Sequence, residues 1–425
     1  MPPERNIVHL KYGRDSIELG FDPDRFEILR SAGGDRPPVS DVRLGEMLDR
    51  PVDSPPLEEI VGRGESVLLV VPDATRQTAA GQVVNLVVRR LIANGTQPHE
   101  IAIIFATGIH RRVTEAERAE ILTPFIAQRI KTFDHAASMA ITNFRFGETS
   151  GGIPVELDWR LSEFDHVVPV GGAAFHYFAG FTGGRKLICP GLASERTIAE
   201  THKLAFDCRQ MRRSDGVGPA LLDGNPVHEA FVEAAAFAEP SFCITTIVDE
   251  AGRATDLFCG DWITSHRAAC DEFAARHTVE IEEGRDLVIA SCGGWPHDIN
   301  LIQAHKTLEA ASRACRDGGT IVLLAKCEDG LGRADFIDWF DAGDSQRLAV
   351  WLCENYQVNG QTAWSLMRKA EKFDVRIVTS LPPEVASRTK MTPYPDLDSA
   401  LAGVKTRTAG FILPFGAKTH VVAAT

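Results

Sequence analysis

SVLLVVPDATR, residues 66–76, decides the class of fold. Five successive apolar residues, Val67–Val71, leave no face for water. Such a run fits a strand covered on both sides, as in a parallel sheet. A helical pattern follows, GQVVNLVVRRLIAN at 81–94, with Gly95 placed to stop it. The alternation then repeats. EIAIIFATGIH (100–110) reads as a second buried strand, and Thr114 with Glu117 forms a capping box opening a helix at TEAERAEIL. HVVPVGGAA (166–174), DLVIASCGG (286–294) and TIVLLAKC (320–327) are further strands, with a helix around 300–316 between the last two. This order predicts an α/β protein with largely parallel sheets.

The 425 residues exceed one ordinary core and predict two domains. The change is expected near residue 280, where the charged EIEEGRD follows the amphipathic 263–277. Residues 1–280 then form the first domain and 281–409 the second. The apolar C-terminal segment 410–425 is expected to return to the first. The hydrophobic fraction is 44% and the charged fraction 24%, ordinary values for a globular chain. No apolar run is long enough to span a membrane, and the polar MPPERNIVHLKYGRD lacks a secretory core. Cytoplasmic residence without a membrane partner is expected. A net charge of -13 excludes the basic face that a nucleic-acid partner needs. The nine cysteines start at Cys189 and show no C-x-x-C pair. They read as neither a disulfide framework nor a zinc ribbon, and most as buried thiols.

Polar residues gather where the strands end, which is where open parallel sheets bind ligands. Asp73 and Arg76 follow the first strand, and His110 ends the second. A guanidinium there can grip a carboxylate with two hydrogen bonds. A histidine there can serve as general acid or base. Taken singly, each is as well read as a helix cap or a loop residue satisfied by backbone. The densest stretch is FHYFAGFTGGRKLICPGLASERTIAETH (175–202). Gly183 and Gly184 permit positive φ and close approach. With Arg185 and Lys186 behind them they suit a phosphate or carboxylate, though the spacing is not that of a P-loop. His176 and His202 flank the loop at no zinc-finger spacing. After the fourth strand come His297, Gln303 and Lys306, the last two on one helical face. Lys203, His305 and the remaining histidines, His9, His99, His135, His166, His228, His266, His277 and His420, carry no supporting pattern and read as structural.

Taken in order, DATR, ATGIHRRVTEAE, FHYFAGFTGGRK…CPG…TI…TH and QAHK resemble the nickel-dependent lactate racemase family. The resemblance implies two α/β domains with the active site in the cleft between them. It implies a nickel-pincer nucleotide, a pyridinium mononucleotide that holds nickel through a ring carbon and two sulfurs (pyridinium-3-thioamide-5-thiocarboxylic acid mononucleotide). By that resemblance His202 is the protein's nickel ligand. Lys186 can tether the cofactor, with Asp73, Gly183 and Gly184 on the cofactor side. His110 and His176 are the two catalytic bases, and Arg76, Gln303 and Lys306 bind the substrate. Cofactor-biosynthesis proteins become partners. The chain departs from the family at Arg185, at Ile302, and in NGQTAWSLMRK (359–369), where either Trp364 or Gln361 faces the substrate. These departures point to an α-hydroxyacid other than lactate.

The chemistry suits these residues. A C2 proton beside a carboxylate is poorly acidic, whereas loss of hydride leaves a neutral carbonyl. Side chains do not accept hydride, so an electrophilic cofactor must. The hydroxyl proton leaves at the same time, and two enantiomers direct it at two histidines. Two other classes compete. His110, His176 and His202 could hold zinc in a hydrolase, or the chain could carry the nickel cofactor without reacting. The missing H-E-x-x-H pattern opposes the first, and a full set of bases and clamps opposes the second.

Overall fold

The computed structural model describes residues 6–405 and 408–424, apart from the side chains of residues 34 and 35. The chain forms two compact units. One comprises 35–205 and 215–275. The other takes the chain up to Gly34, the segment Phe206–Ser214, and everything from Arg276 onward.

In the first unit the opening run becomes the strand Val67–Pro72, buried at every position. It lies inside a six-stranded sheet ordered Ala254–Gly260, Cys243–Val248, His166–Gly172, Val67–Pro72, Ile101–Ala106, Lys131–Asp134. Only the Ala254–Gly260 edge is antiparallel. The helix Ala80–Asn94 covers one face with Val83, Val84, Val87, Val88 and Leu91. Burying each such side chain contributes about 1.5–3 kcal/mol. Gly95 ends this helix at φ 113°, a conformation that β-carbons disfavour. The capping box is present: Glu117 N–H donates to Thr114 Oγ1 at 3.2 Å, and Thr114 N–H to Glu117 Oε2 at 2.9 Å.

The second unit holds a six-stranded parallel sheet ordered Thr392–Tyr394, Asp374–Val378, Cys315–Leu324, Arg285–Ser291, Gly410–Leu413, Phe26–Ile28. The helix Leu301–Ala314 packs on it through Leu301, Ala304, Leu308 and Ala311. Here the expected boundaries are corrected. The C-terminal segment does not return to the first unit: Gly410–Leu413 pairs with Arg285–Ser291, and His420–Ala423 pairs with Thr278–Ile281. The N-terminal hairpin, Asn6–Tyr12 with Asp15–Phe21, also belongs here, with Val8 and Leu10 packed beside Leu287 and Ile289. An apolar strand states that it will be covered, not by which sheet.

Seven cysteines are buried free thiols, and Cys208 is bonded to Cys353 within the second unit. Among the described residues no helix is long and apolar enough to cross a membrane.

Candidate active site

Asp73 follows the last residue of the central strand and is 5% exposed. One carboxylate oxygen accepts Thr75 N–H at 3.0 Å and the Thr75 hydroxyl at 2.5 Å, which sets the turn. The other meets His110 Nδ1 at 2.7 Å. Burial pushes the Asp73 carboxyl up, but His110, Arg76 and Thr75 together hold it well below the usual carboxylate range. Asp73 is therefore ionised and bonded to the Nδ1 side of His110, whose imidazole is exposed. The backbone holds this turn from below, since Gly108, at φ 53°, donates its N–H to Gly191 O at 2.9 Å. Asp73, expected on the cofactor side, is hydrogen-bonded to His110 in this structure.

The stretch 175–202 builds the opposite wall around an aromatic hub. His176 is buried on a two-residue strand, Phe175–His176, paired with Ala179–Phe181. Its Nδ1 accepts Ala179 N–H at 3.3 Å. The His176 ring lies edge-on to Phe178 at 4.4 Å, and His202 meets the same ring at 5.1 Å. Phe231 stands 5.4 Å from the His202 ring. The Lys186 ammonium lies 5.3 Å from the Phe178 ring and 5.1 Å from that of Phe231. Lys186 and His202 thus share two aromatic walls.

His202 occupies the last turn of the helix Glu195–Lys203, where its Nδ1–H donates to Ile198 O at 2.7 Å. Burial, helped by the charges of Lys186 and His110, pushes its pKa down to about 3. The ring is neutral, with its tautomer fixed and its Nε2 lone pair available. A metal requires this state of a histidine ligand. Among the described residues no three His, Cys, Asp or Glu side chains gather as a metal cage. A metal here must bring its other ligands with it, as a pincer cofactor does, and the residues present fit that group.

The glycine pair is packed from behind. Gly183 and Gly184 have φ of 78° and 51°, and a Cβ on Gly184 would stand 2.6 Å from the His266 ring. Arg185, with 2% exposure, turns inward: its guanidinium donates to Ala179 O at 2.7 Å and lies 3.2 Å from His266 Nε2. Burial brings its pKa down to about 10. Arg185 braces the loop and does not reach outward to a ligand. Lys186, the next residue, is the partly exposed cation.

Gln303 and Lys306 belong to the second unit. Asn300 caps their helix by accepting Gln303 N–H at 3.0 Å, and Lys306 Nζ donates to Gln303 Oε1 at 2.7 Å. Trp364 is a core residue, edge-on to Phe206 at 4.8 Å. Gln361 is buried, and neither amide atom has a hydrogen-bond partner among the described residues. Phe178 lay within the quoted FHYFAGF stretch without being singled out, and Phe231 and His266 had no motif of their own. Only their spacing around the glycine loop in three dimensions gives them a role. His135, read as structural, is so placed, between Asp158 and Ala193 O.

A carboxylate-paired histidine after one strand of a largely parallel sheet, with His176 and a buried His202 against a shared aromatic ring, is the arrangement of an α/β protein with polar groups gathered near its strand ends. Residues 12–213 match the family described as the lactate racemase N-terminal domain, and residues 281–410 the lactate racemase C-terminal domain. The chain is 27% identical over 336 residues to the lactate racemase of Thermoanaerobacterium thermosaccharolyticum, covering 78% of this chain and 77% of that one. It is 28% identical over 332 residues to the lactate racemase of Lactiplantibacillus plantarum, covering 77% of each. The structure of the T. thermosaccharolyticum lactate racemase apoprotein superposes with a TM-score of 0.87 at 26% identity, covering 98% of this chain and 100% of that one. A Thermotoga maritima protein shares the fold, with a TM-score of 0.70 at 18% identity over 91% of this chain and 99% of that one. The chain belongs to the lactate racemase family and is an isomerase of the racemase class.

Proposed function

We propose that this enzyme racemises or epimerises an α-hydroxy carboxylic acid with the aid of a nickel-pincer nucleotide. The observation that carries the reading is the neutral, tautomer-fixed His202 sharing the Phe178 and Phe231 walls with Lys186, with His110 and His176 in the same unit. In this reading His202 binds the nickel, and Lys186, Gly183 and Gly184 hold the nucleotide. Bound there, the cofactor would supply an electrophilic hydride acceptor, a function that side chains lack.

The chain's own residues do the rest. Arg76 is assigned to the substrate carboxylate, and Gln303 and Lys306 keep the substrate-binding roles that the family likeness gives them. His110 Nε2 takes the hydroxyl proton of one enantiomer, and ionised Asp73 stabilises the imidazolium that forms. His176 serves the other enantiomer. The aromatic walls exclude water while the ketoacid turns.

Gln361 supports a substrate with a polar group beyond C2. A buried amide without a protein partner is costly, and a ligand hydroxyl or carboxylate offsets that cost. Trp364 is committed to the core. The reading also implies residence in the cytoplasm and dependence on the proteins that make the cofactor. The test is expression with and without the cofactor pathway, followed by nickel analysis and C2 deuterium exchange. The panel is lactate, 2-hydroxybutyrate, malate, phenyllactate and a sugar acid. Activity of the apoprotein with simple nickel salt overturns the cofactor reading, and preference for lactate over every larger acid overturns the substrate reading.

A further inference from the structure

The segment Phe206–Ser214 leaves the first unit three residues after Lys203, packs with the second unit, and departs again at Asp215. Three anchors hold it there. Phe206 lies edge-on to Trp364 at 4.8 Å, and Arg213 makes a paired ion contact with Glu309 at 3.0 and 3.1 Å. Between them in sequence, Cys208 is bonded to Cys353. Of the nine cysteines, the other seven are buried, whereas Cys208 is exposed and Cys353 is partly exposed. Arg209 stands next to Cys208 in sequence, and a neighbouring guanidinium favours a thiolate.

We infer that the Cys208–Cys353 bond is a thiol–disulfide exchange site that takes a dithiol reductant. A thiolate of the reductant attacks one sulfur, and its second thiol resolves the mixed disulfide. Two S–H bonds form, on Cys208 and Cys353. The reductant leaves as a cyclic disulfide, so electrons and protons balance. Among the described residues the bond is the one covalent cross-link to the segment, and the segment follows closely on the helix that ends in His202 and Lys203. Reduction therefore loosens the chain next to the proposed metal ligand while the Phe206 and Arg213 contacts keep the segment folded. The consequence for turnover rests on the racemase reading; the exchange site does not.

The test uses the full chain, oxidised with oxidised glutathione and then treated with dithiothreitol without denaturant. Alkylation with iodoacetamide and peptide mass mapping should label Cys208 and Cys353 after dithiothreitol alone, and the seven buried thiols only after denaturation. Nine labelled thiols in the oxidised, denatured protein overturn the bond. A bond that resists dithiothreitol until the protein unfolds overturns the exchange site. Trypsin should cut after Arg209 or Arg212 at least about threefold faster in the reduced protein, as local opening becomes cheaper. Cys353→Ser should match the reduced rate under both conditions, and equal rates for oxidised and reduced wild type overturn the anchoring role. Cofactor-loaded enzyme should change turnover at least about twofold on reduction, reversed by reoxidation. Unchanged turnover with faster cleavage overturns the link to His202, whereas no turnover in either state sinks the racemase reading and leaves the labelling result standing.

Discussion

Replacing Asp73 with Asn separates two roles for this carboxylate. If it orients His110, the amide keeps the shape and the Thr75 contacts but loses the charge 2.7 Å from Nδ1. A charge-assisted hydrogen bond contributes about 1.5–3 kcal/mol. The attraction between a carboxylate and an imidazolium some 4 Å apart is about 4 kcal/mol at an effective dielectric near 20. These two figures describe one interaction and are not summed. A loss of about 2–4 kcal/mol from the transition state corresponds to turnover reduced about 30- to 1,000-fold. Asn can also donate to Nδ1 and so place the ring proton on Nε2, the wrong tautomer for a base. The assay is initial rates in both directions by chiral chromatography on cofactor-loaded protein, with nickel content measured on the same samples. Nickel content should be unchanged. Turnover within about threefold of wild type refutes the orienting role, and loss of nickel together with activity restores the cofactor-side role. The pH sign is fixed by the depressed carboxyl. Its stabilising contribution is present above the unfolded value near 3.9 and is lost as pH falls through the lower folded value. The stability gap between wild type and Asp73→Asn should therefore close only below about pH 4.

His110→Ala and His176→Ala should each abolish racemisation in both directions while leaving nickel bound; near-normal turnover of either variant removes the two-base scheme. His202→Ala should lower nickel content at least about tenfold, the scale on which single metal-site groups act, as read by metal analysis after gel filtration. Below pH 6.5 the unfolded chain protonates this histidine first and the folded chain only near 3, so wild-type apoprotein should gain stability as pH rises through that window. The slope should be reduced in His202→Ala by up to about 1.4 kcal/mol per pH unit, measured by urea unfolding. Gly184→Ala meets both a φ of 51° and the His266 ring. It should cost about 1–3 kcal/mol and lower cofactor loading, and an unchanged melting temperature means that the loop is not packed as described.

The periodicity of apolar residues was enough to place the strands through Val67–Val71, Ile101–Phe105 and Val288–Ala290, because burial on both faces leaves a run that no other element needs. Strand ends then marked Asp73, His110 and His176 as candidates, since parallel sheets deliver their carboxyl ends to one side. Gly95 and the Thr114–Glu117 cap were equally legible, being contacts within one turn of chain. What tertiary structure alone decided depends on partners far away in sequence. The terminal strands Phe26–Ile28 and Gly410–Leu413 pair with one another, although any sheet with an open edge satisfies their apolar pattern. Arg185 and Lys186 are adjacent and chemically alike. One is sealed against His266 and the other looks into the Phe178–Phe231 walls, because the backbone at Gly183 and Gly184 turns them to opposite sides. Asp73 meets His110, 37 residues on, a pairing that no local pattern in the sequence names. A residue's chemistry is local, but its role is set by the group it is packed against, and that group is named only by the fold.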